Sequence, residues 1–187
     1  MQKTYGAILI DPPWAFRTYN KEKGTTPHRG ADDHYGTMRL HELCGLPVPD
    51  LASKNCAMFM WVVDSHLPEA FTLFDAWGFN YKTIVFIWEK MAKSGEPGIG
   101  MGYWSRKQAE VCLLATRGSP RRVGKGVRQI IQAPRREHSR KPDEQYERIE
   151  ALVDGPYLEM FARQRWNGWD SWGNETEKFG PVDIFSE

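Results

Sequence analysis

Short runs of consecutive apolar residues alternate along the chain with segments of helical spacing. Residues 5–10 and 56–63 are almost continuously apolar, and the first run stops at Asp11-Pro12-Pro13. Runs of this length are typical of strands that are buried on both faces of a sheet. Four further strands are predicted, at residues 81–88, 110–116, 129–132 and 157–161.

Two segments carry helix signals. After Asp64 and Ser65, which can cap a helix, apolar residues recur at helical spacing until Gly78 ends the segment. A second helix is predicted from Lys141-Pro142-Asp143-Glu144 to about Val153, because proline and acidic residues favour a first turn. The alternation of apolar strands and helices predicts an α/β fold with a mainly parallel sheet and helices on both faces.

Composition narrows the class of protein. The 187 residues are 41% apolar, and we expect a single domain spanning residues 1–187. The longest apolar run, residues 56–63, is too short to cross a bilayer, so we expect a cytoplasmic protein with no membrane partner. Three cysteines without a CxxC pair argue against a disulfide framework and a zinc site, and we expect no metal.

Charge is concentrated in one segment, although the net charge of the chain is only +1. Residues 121–141 carry eight basic residues and one acid, which leaves the rest of the chain at −6. A concentrated basic segment on an acidic body favours a polyanionic partner, while a solvated loop is the alternative. The candidate phosphate contacts are Arg121, Arg122, Lys125, Arg128, Arg135 and Arg136, with Arg17, Lys21 and Lys23 in a second loop.

The tetrapeptide Asp11-Pro12-Pro13-Trp14 directly follows the first predicted strand. Ligands of open α/β sheets bind beyond the carboxyl ends of strands. Because the prolines lack N–H groups, the Asp11 carboxylate and the Pro12 carbonyl are acceptors that suit an exocyclic amino group, and the Trp14 indole suits base stacking. A strand-ending turn with a buried tryptophan is the structural alternative.

Five motifs together resemble the MT-A70 family of adenine N6-methyltransferases. Asp11-Pro-Pro-Trp14 and His34-Tyr-Gly-Thr-Met38 match its signature, and three later motifs follow in the family's order, at residues 138–144, 159–163 and 172–175. The resemblance spans nearly the whole chain. It implies a Rossmann-like fold that uses S-adenosyl-L-methionine, with the catalytic motif before the cofactor motif.

The same resemblance implies roles for individual residues. The catalytic residues would be Asp11, Pro12, Pro13 and Trp14. The cofactor would be held by Asp11, Lys141, Glu159, Arg163, Asn174 and Glu175. One side of the target pocket would be closed by Tyr35, Gly36, Thr37 and Met38.

We therefore expect methylation of adenine N6 in nucleic acid, with DNA favoured over RNA. Because a base inside a duplex cannot reach such a pocket, the target base must be flipped or single-stranded. Two alternatives stay open, an RNA methyltransferase with the same chemistry and a catalytically silent nucleic-acid-binding subunit. A homodimer or a partner subunit is also compatible with the sequence.

Overall fold

The computed structural model describes residues 3–14, 37–102, 104–137 and 140–179. Their elements are, in chain order, β1 (Tyr5–Ile10), α1 (Leu40–Cys44), α2 (Val48–Leu51), β2 (Ala52–Val62), α3 (Leu67–Trp77), β3 (Asn80–Met91), β4 (Ala109–Arg117), β5 (Ile130–Pro134), α4 (Glu144–Leu152), β6 (Tyr157–Met160) and β7 (Trp169–Trp172). All six predicted strands and both predicted helices are confirmed, with shifted ends. The strand β7 was not predicted, because Trp-Asp-Ser-Trp lacks an apolar run.

The strands form one sheet in the order β5-β3-β4-β2-β1-β6-β7. Parallel pairs join β1 to β2, β1 to β6, β6 to β7 and β3 to β5, whereas β4 is antiparallel to both β2 and β3. The expectation of a mainly parallel sheet is therefore corrected to a mixed sheet. The reason lies in the connection from β3 to β4, residues 92–108, whose described residues contain no crossover helix.

Among the seven strands of the described residues only β4 is reversed, so the carboxyl ends of the other six and the amino end of β4 lie along the same edge. We call this the carboxyl edge. The segments that follow β1, β3, β5, β6 and β7 all start there. The fold thus gathers most of the predicted motifs at one side of the sheet.

Both faces of the sheet are covered, as predicted. Successive residues of β1 and β2 point to opposite faces, so each strand contributes to two cores. On one face α3 packs through Leu73, Phe74 and Trp77. On the other face α4 packs through Tyr146 and Ile149.

The cysteines are free thiols: Cys56 and Cys112 are buried and Cys44 is partly buried. Burial raises the pKa of Cys56 to about 12, so this thiol stays protonated at neutral pH. Among the described residues, no group of three His, Cys, Asp or Glu side chains could hold a metal ion. No helix in the same part of the chain is long and apolar enough to cross a membrane.

Two phenylalanines of α3 test the packing of this helix. Phe74 is 1% exposed and Phe71 is 39% exposed. We expect Phe74→Ala to lower the free energy of unfolding by about 3–5 kcal/mol, because it leaves a cavity in the core. Phe71→Ala should cost less than half as much, and urea denaturation measures both. Equal losses would contradict the packing of α3 described above.

Candidate active site

Four charged side chains meet at the carboxyl edge. Lys141 Nζ, just before α4, lies 2.6 Å from Asp11 Oδ2, just after β1. The same ammonium lies 3.4 Å from Glu110 Oε2 on β4, and Lys90 of β3 pairs with the other oxygen of Glu110. We call Asp11, Lys141, Glu110 and Lys90 the charge chain. Its members alternate in sign and are mostly shielded from solvent.

Burial and pairing act in opposite directions on these groups. Burial raises the pKa of Asp11, and the neighbouring Lys141 ammonium counteracts this rise. Burial lowers the pKa of Lys141, but Asp11 and Glu110 outweigh it and hold the pKa above its ordinary value. Burial also raises the pKa of Glu110, but Lys141 and Lys90 lower it to about 2. Lys141 is therefore protonated and Glu110 ionised at neutral pH.

A cavity continues from Asp11 and Lys141 along the face covered by α4. Glu159 of β6 lines it and accepts a hydrogen bond from the Tyr146 hydroxyl at 2.9 Å. Burial raises the pKa of Glu159 to about 8. Trp61 and Gln145 also line the cavity, and Trp61 Nε1–H donates to Gln145 Oε1 at 2.6 Å, which fixes both side chains.

Two polar atoms at this cavity are buried without a partner among the described residues. Gln164 donates through Nε2 to Asp143 Oδ1 at 2.9 Å, while its Oε1 atom accepts from none of them. The Nε atom of Arg140 is likewise buried without an acceptor. The cavity therefore offers one unused acceptor and one unused donor beside the Asp11 carboxylate, the Glu159 carboxyl and the Lys141 ammonium. This donor set fits a ligand that carries amino, carboxylate and hydroxyl groups.

The structure brings together four of the six predicted cofactor residues. The cavity is lined by Asp11, Lys141, Glu159 and Arg163. Asn174 is exposed after β7, and Glu175 pairs with Arg163 at 3.3 Å and with Lys178 at 2.7 Å. Asn174 and Glu175 therefore lie beside the cavity, and their cofactor roles stay predictions.

Several residues of the site were missed at the sequence level. Glu110 and Lys90 could have been found from the sequence, since each is a charged residue at one end of a largely apolar run. Phe161 adopts φ 59°, a left-handed conformation that is costly for a phenylalanine and places its side chain on the cavity wall. Gln145 and Gln164 gave no signal, because a glutamine in a polar segment normally faces solvent.

Residues 11–14, which we call the proline turn, are held in the fold by hydrogen bonds to their own carbonyl groups. The Trp14 N–H donates to the Pro12 carbonyl at 2.8 Å, and the Met38 N–H donates to the Pro13 carbonyl at 2.8 Å. The Pro12 carbonyl therefore has one lone pair left for a ligand. Trp14 is 5% exposed and stacks on His66 with ring centroids 5.2 Å apart. Its ring belongs mainly to the core, and stacking of a base on Trp14 stays a prediction.

The basic segment is divided between two edges of the sheet. Arg122 forms a β-bridge with Val153, which directly follows α4. The nine residues of α4 extend about 14 Å away from the carboxyl edge. Arg121, Arg122 and Lys125 therefore lie toward the opposite edge, whereas Arg135 follows β5 at the carboxyl edge. Arg136 also lies there, but it holds Asp143 through two nitrogens at 2.6 and 2.8 Å.

Some predicted target contacts lie outside the described residues. They are Arg17, Lys21, Lys23, Tyr35 and Gly36. Thr37 and Met38 are described, and Met38 forms a β-bridge with Trp14. The structure thus brings the end of the second motif beside the proline turn.

Comparisons with known proteins agree with these motifs. The MT-A70 family model matches residues 5–175. The type II methyltransferase M.MunI of Mycoplasma sp. is 32% identical over 93% of this chain and 78% of its own length. The N(6)-adenine-specific methyltransferase METTL4 of Homo sapiens is 29% identical, and the N6-methyladenosine RNA methyltransferase MTA1 of Cryphonectria parasitica is 32% identical. Both matches include 98% of this chain, but the chain spans only 40% of the length of METTL4 and 55% of the length of MTA1.

Removal of Lys141 tests the charge chain. Lys141→Ala would leave the carboxylates of Asp11 and Glu110 facing each other without their shared cation. We expect the free energy of unfolding to fall by about 3–5 kcal/mol at neutral pH. The loss should shrink as the pH falls toward about 4, because Asp11, which has lost its cation while Glu110 keeps Lys90, then takes up a proton.

The matched control is Arg165→Ala, which breaks the exposed pair with Glu177. It should cost less than about 1 kcal/mol. Chemical denaturation at several pH values measures both variants. A loss in Lys141→Ala that does not vary with pH would contradict this account.

The raised pKa of Glu159 leads to a second prediction, which concerns how stability depends on pH. Its pKa is raised from 4.5 to about 8, so the folded protein holds a proton that the unfolded chain has lost in this range. Stability linked to this group is present below pH 4.5 and is lost as the pH rises through about 8. The melting temperature of Glu159→Gln should therefore rise relative to the wild type as the pH increases across this window. Glu177→Gln, which removes an exposed carboxyl, is the control and should run parallel to the wild type.

Proposed function

The chain belongs to the MT-A70 family of methyltransferases, and from this premise we propose that it transfers a methyl group from S-adenosyl-L-methionine to N6 of adenine in nucleic acid, with DNA favoured. The observation that supports this most is the position of Asp11. It directly follows β1 at the carboxyl edge, is held by Lys141, and lines a cavity that carries opposite charges.

The cavity suits the cofactor by its chemistry. The Lys141 ammonium and the Arg140 guanidinium are donors for a carboxylate, while Glu159 and the Gln164 carbonyl are acceptors for amino and hydroxyl groups. When bound, S-adenosyl-L-methionine supplies a methyl group that is already strongly electrophilic. The protein therefore has no need of a covalent intermediate, and its contribution is alignment of the reactants and exclusion of water.

Asp11 acts on the target amino group in this proposal. Its Oδ2 atom accepts from Lys141, which leaves Oδ1 to accept from N6. The second lone pair of the Pro12 carbonyl is the other acceptor for the same amino group. Both acceptors stabilise the positive charge that develops on the nitrogen. Asp11 takes up the proton only after transfer, because a neutral aryl amine is too weak an acid beforehand.

A separate part of the proposal concerns which nucleic acid carries the target adenine. DNA is favoured because the chain covers 78% of M.MunI, but 55% or less of the matched relatives whose names specify RNA. An RNA substrate is the second candidate, since MTA1 of Cryphonectria parasitica shares 32% identity with 98% of this chain. A silent binding subunit agrees less well with Asp11 and Lys141, which are both present and in contact.

Transfer of labelled methyl groups tests the proposal. The protein is incubated with labelled cofactor and with matched single-stranded DNA, duplex DNA or RNA of mixed sequence, and the nucleosides are then analysed by mass. We expect N6-methyladenine, with the larger yield in DNA. Asp11→Asn should lower kcat by about 100-fold or more, because it removes the negative charge that faces the developing cation.

Asp75→Asn on the exposed side of α3 is the matched control and should leave turnover unchanged. Calorimetry of cofactor binding accompanies both variants, so that a lost methyl donor is not mistaken for lost catalysis. Near-normal turnover by Asp11→Asn would disprove the role of this carboxylate. Cofactor binding without methylation of any polymer would support the silent subunit.

A further inference from the structure

The segment between β3 and β4 displays apolar side chains to solvent. In residues 92–108, Ile99 is 68% exposed, Met101 is 83% exposed and Trp104 is fully exposed. We call these three side chains the apolar tip. Isolated apolar residues on a surface are ordinary, but a fully exposed tryptophan that follows two further exposed apolar residues within six positions of the chain favours an interaction site.

The tip is carried by a defined piece of backbone. The Gly98 N–H donates to the Lys90 carbonyl at 2.6 Å, and the Gly100 N–H donates to the Lys107 carbonyl at 2.8 Å. Lys107 is also paired with Asp64 at 3.2 Å, which ties the segment to the end of β2. The strands β3 and β4 thus continue beyond the carboxyl edge and present the tip on the same side of the sheet as Asp11.

Positive charge lies beside the tip. A methyl group added at Gly100 would lie 2.9 Å from a guanidinium nitrogen of Arg135, so this arginine packs against the backbone between Ile99 and Met101. The segment itself carries Lys93, Arg106 and Lys107 against a single acid, Glu96. Exposed aromatic and apolar groups flanked by cations are the combination that binds unpaired bases and their phosphates.

We propose that Trp104 stacks on an unpaired base next to the target adenine, with Met101 beside it and Arg135 on the adjoining phosphate. The proposal rests on the proposed function, because a target adenine that enters the pocket leaves its neighbours unstacked. A ring at the same edge as Asp11 replaces part of the stacking that the neighbouring base loses. A second copy of the chain fits this surface less well, since a symmetric contact would bring Arg135 and Arg106 of both copies together.

Equilibrium binding tests the stacking. The probe is a fluorescent single-stranded DNA of about 12 nucleotides, long enough to cover one binding groove. Trp104→Ala should weaken binding about tenfold, or about 1.4 kcal/mol, with an unchanged melting temperature because the side chain is fully exposed. Trp104→Phe, which keeps a flat ring, should recover most of the affinity.

Two controls separate stacking from other effects. Tyr81→Ala removes an exposed ring near the start of β3, at the opposite edge, and should leave binding unchanged. Arg135→Ala should reduce the slope of log affinity against log salt by about 0.7, the value for one phosphate on a single strand. Trp104→Ala should leave that slope unchanged, since it removes no charge.

The possible failures can be told apart. Wild-type protein that methylates adenine, together with equal binding by Trp104→Ala, would overturn the stacking but keep the proposed function. Dissociation of an oligomer by Trp104→Ala, measured by light scattering, would assign the tip to a contact between copies and also overturn the stacking. Wild-type protein that binds no nucleic acid would overturn both.

Discussion

The ion pair between Asp11 and Lys141 joins residues 130 positions apart in the sequence and is the contact around which the site is arranged. Asp11 directly follows β1, which lies between β2 and β6 in the sheet, and Lys141 leads into the helix that covers one face. A buried charge without a partner would be costly, so this pair requires the end of β1 and the start of α4 to meet at the carboxyl edge.

The reversed strand β4 has a direct consequence for this arrangement. Glu110 is the second residue of β4, and only a strand that begins at the carboxyl edge places such a residue beside Lys141. A parallel β4 would put Arg117 there, near two cations. The same reversal creates the segment of residues 92–108, which carries the apolar tip. One change of strand direction therefore supplies both an anion inside the site and an exposed surface outside it.

The strands and the position of the site could be predicted from the sequence, because a polar motif that directly follows an apolar run lies at the end of a strand. The apolar run of residues 5–10, followed by Asp11, predicted a site at the end of the first strand, and the alternation of apolar strands with helices predicted the α/β fold. The place of Lys141 in the same site followed only from the resemblance to the MT-A70 family. The direction of β4 could not be predicted, since apolar runs look alike in parallel and antiparallel strands that are buried on both faces. The sequence also did not show that the two ends of residues 121–141 lie at opposite edges of the sheet. These residues form one basic segment in the sequence, but β5 lies within it and separates its two ends.

The charge chain also explains how a charged cofactor can enter a site that is already paired. Asp11 and Glu110 contribute two negative charges, and Lys141 and Lys90 contribute two positive charges, so the cluster is neutral and does not repel a ligand of either sign. An ammonium has three N–H donors, and Lys141 uses two of them within the protein, which leaves one for a carboxylate. In the proposed function, Lys141 binds the cofactor carboxylate without releasing Asp11. The same ammonium then positions the carboxylate proposed for catalysis and holds the proposed methyl donor, which keeps the reacting groups in a fixed relation.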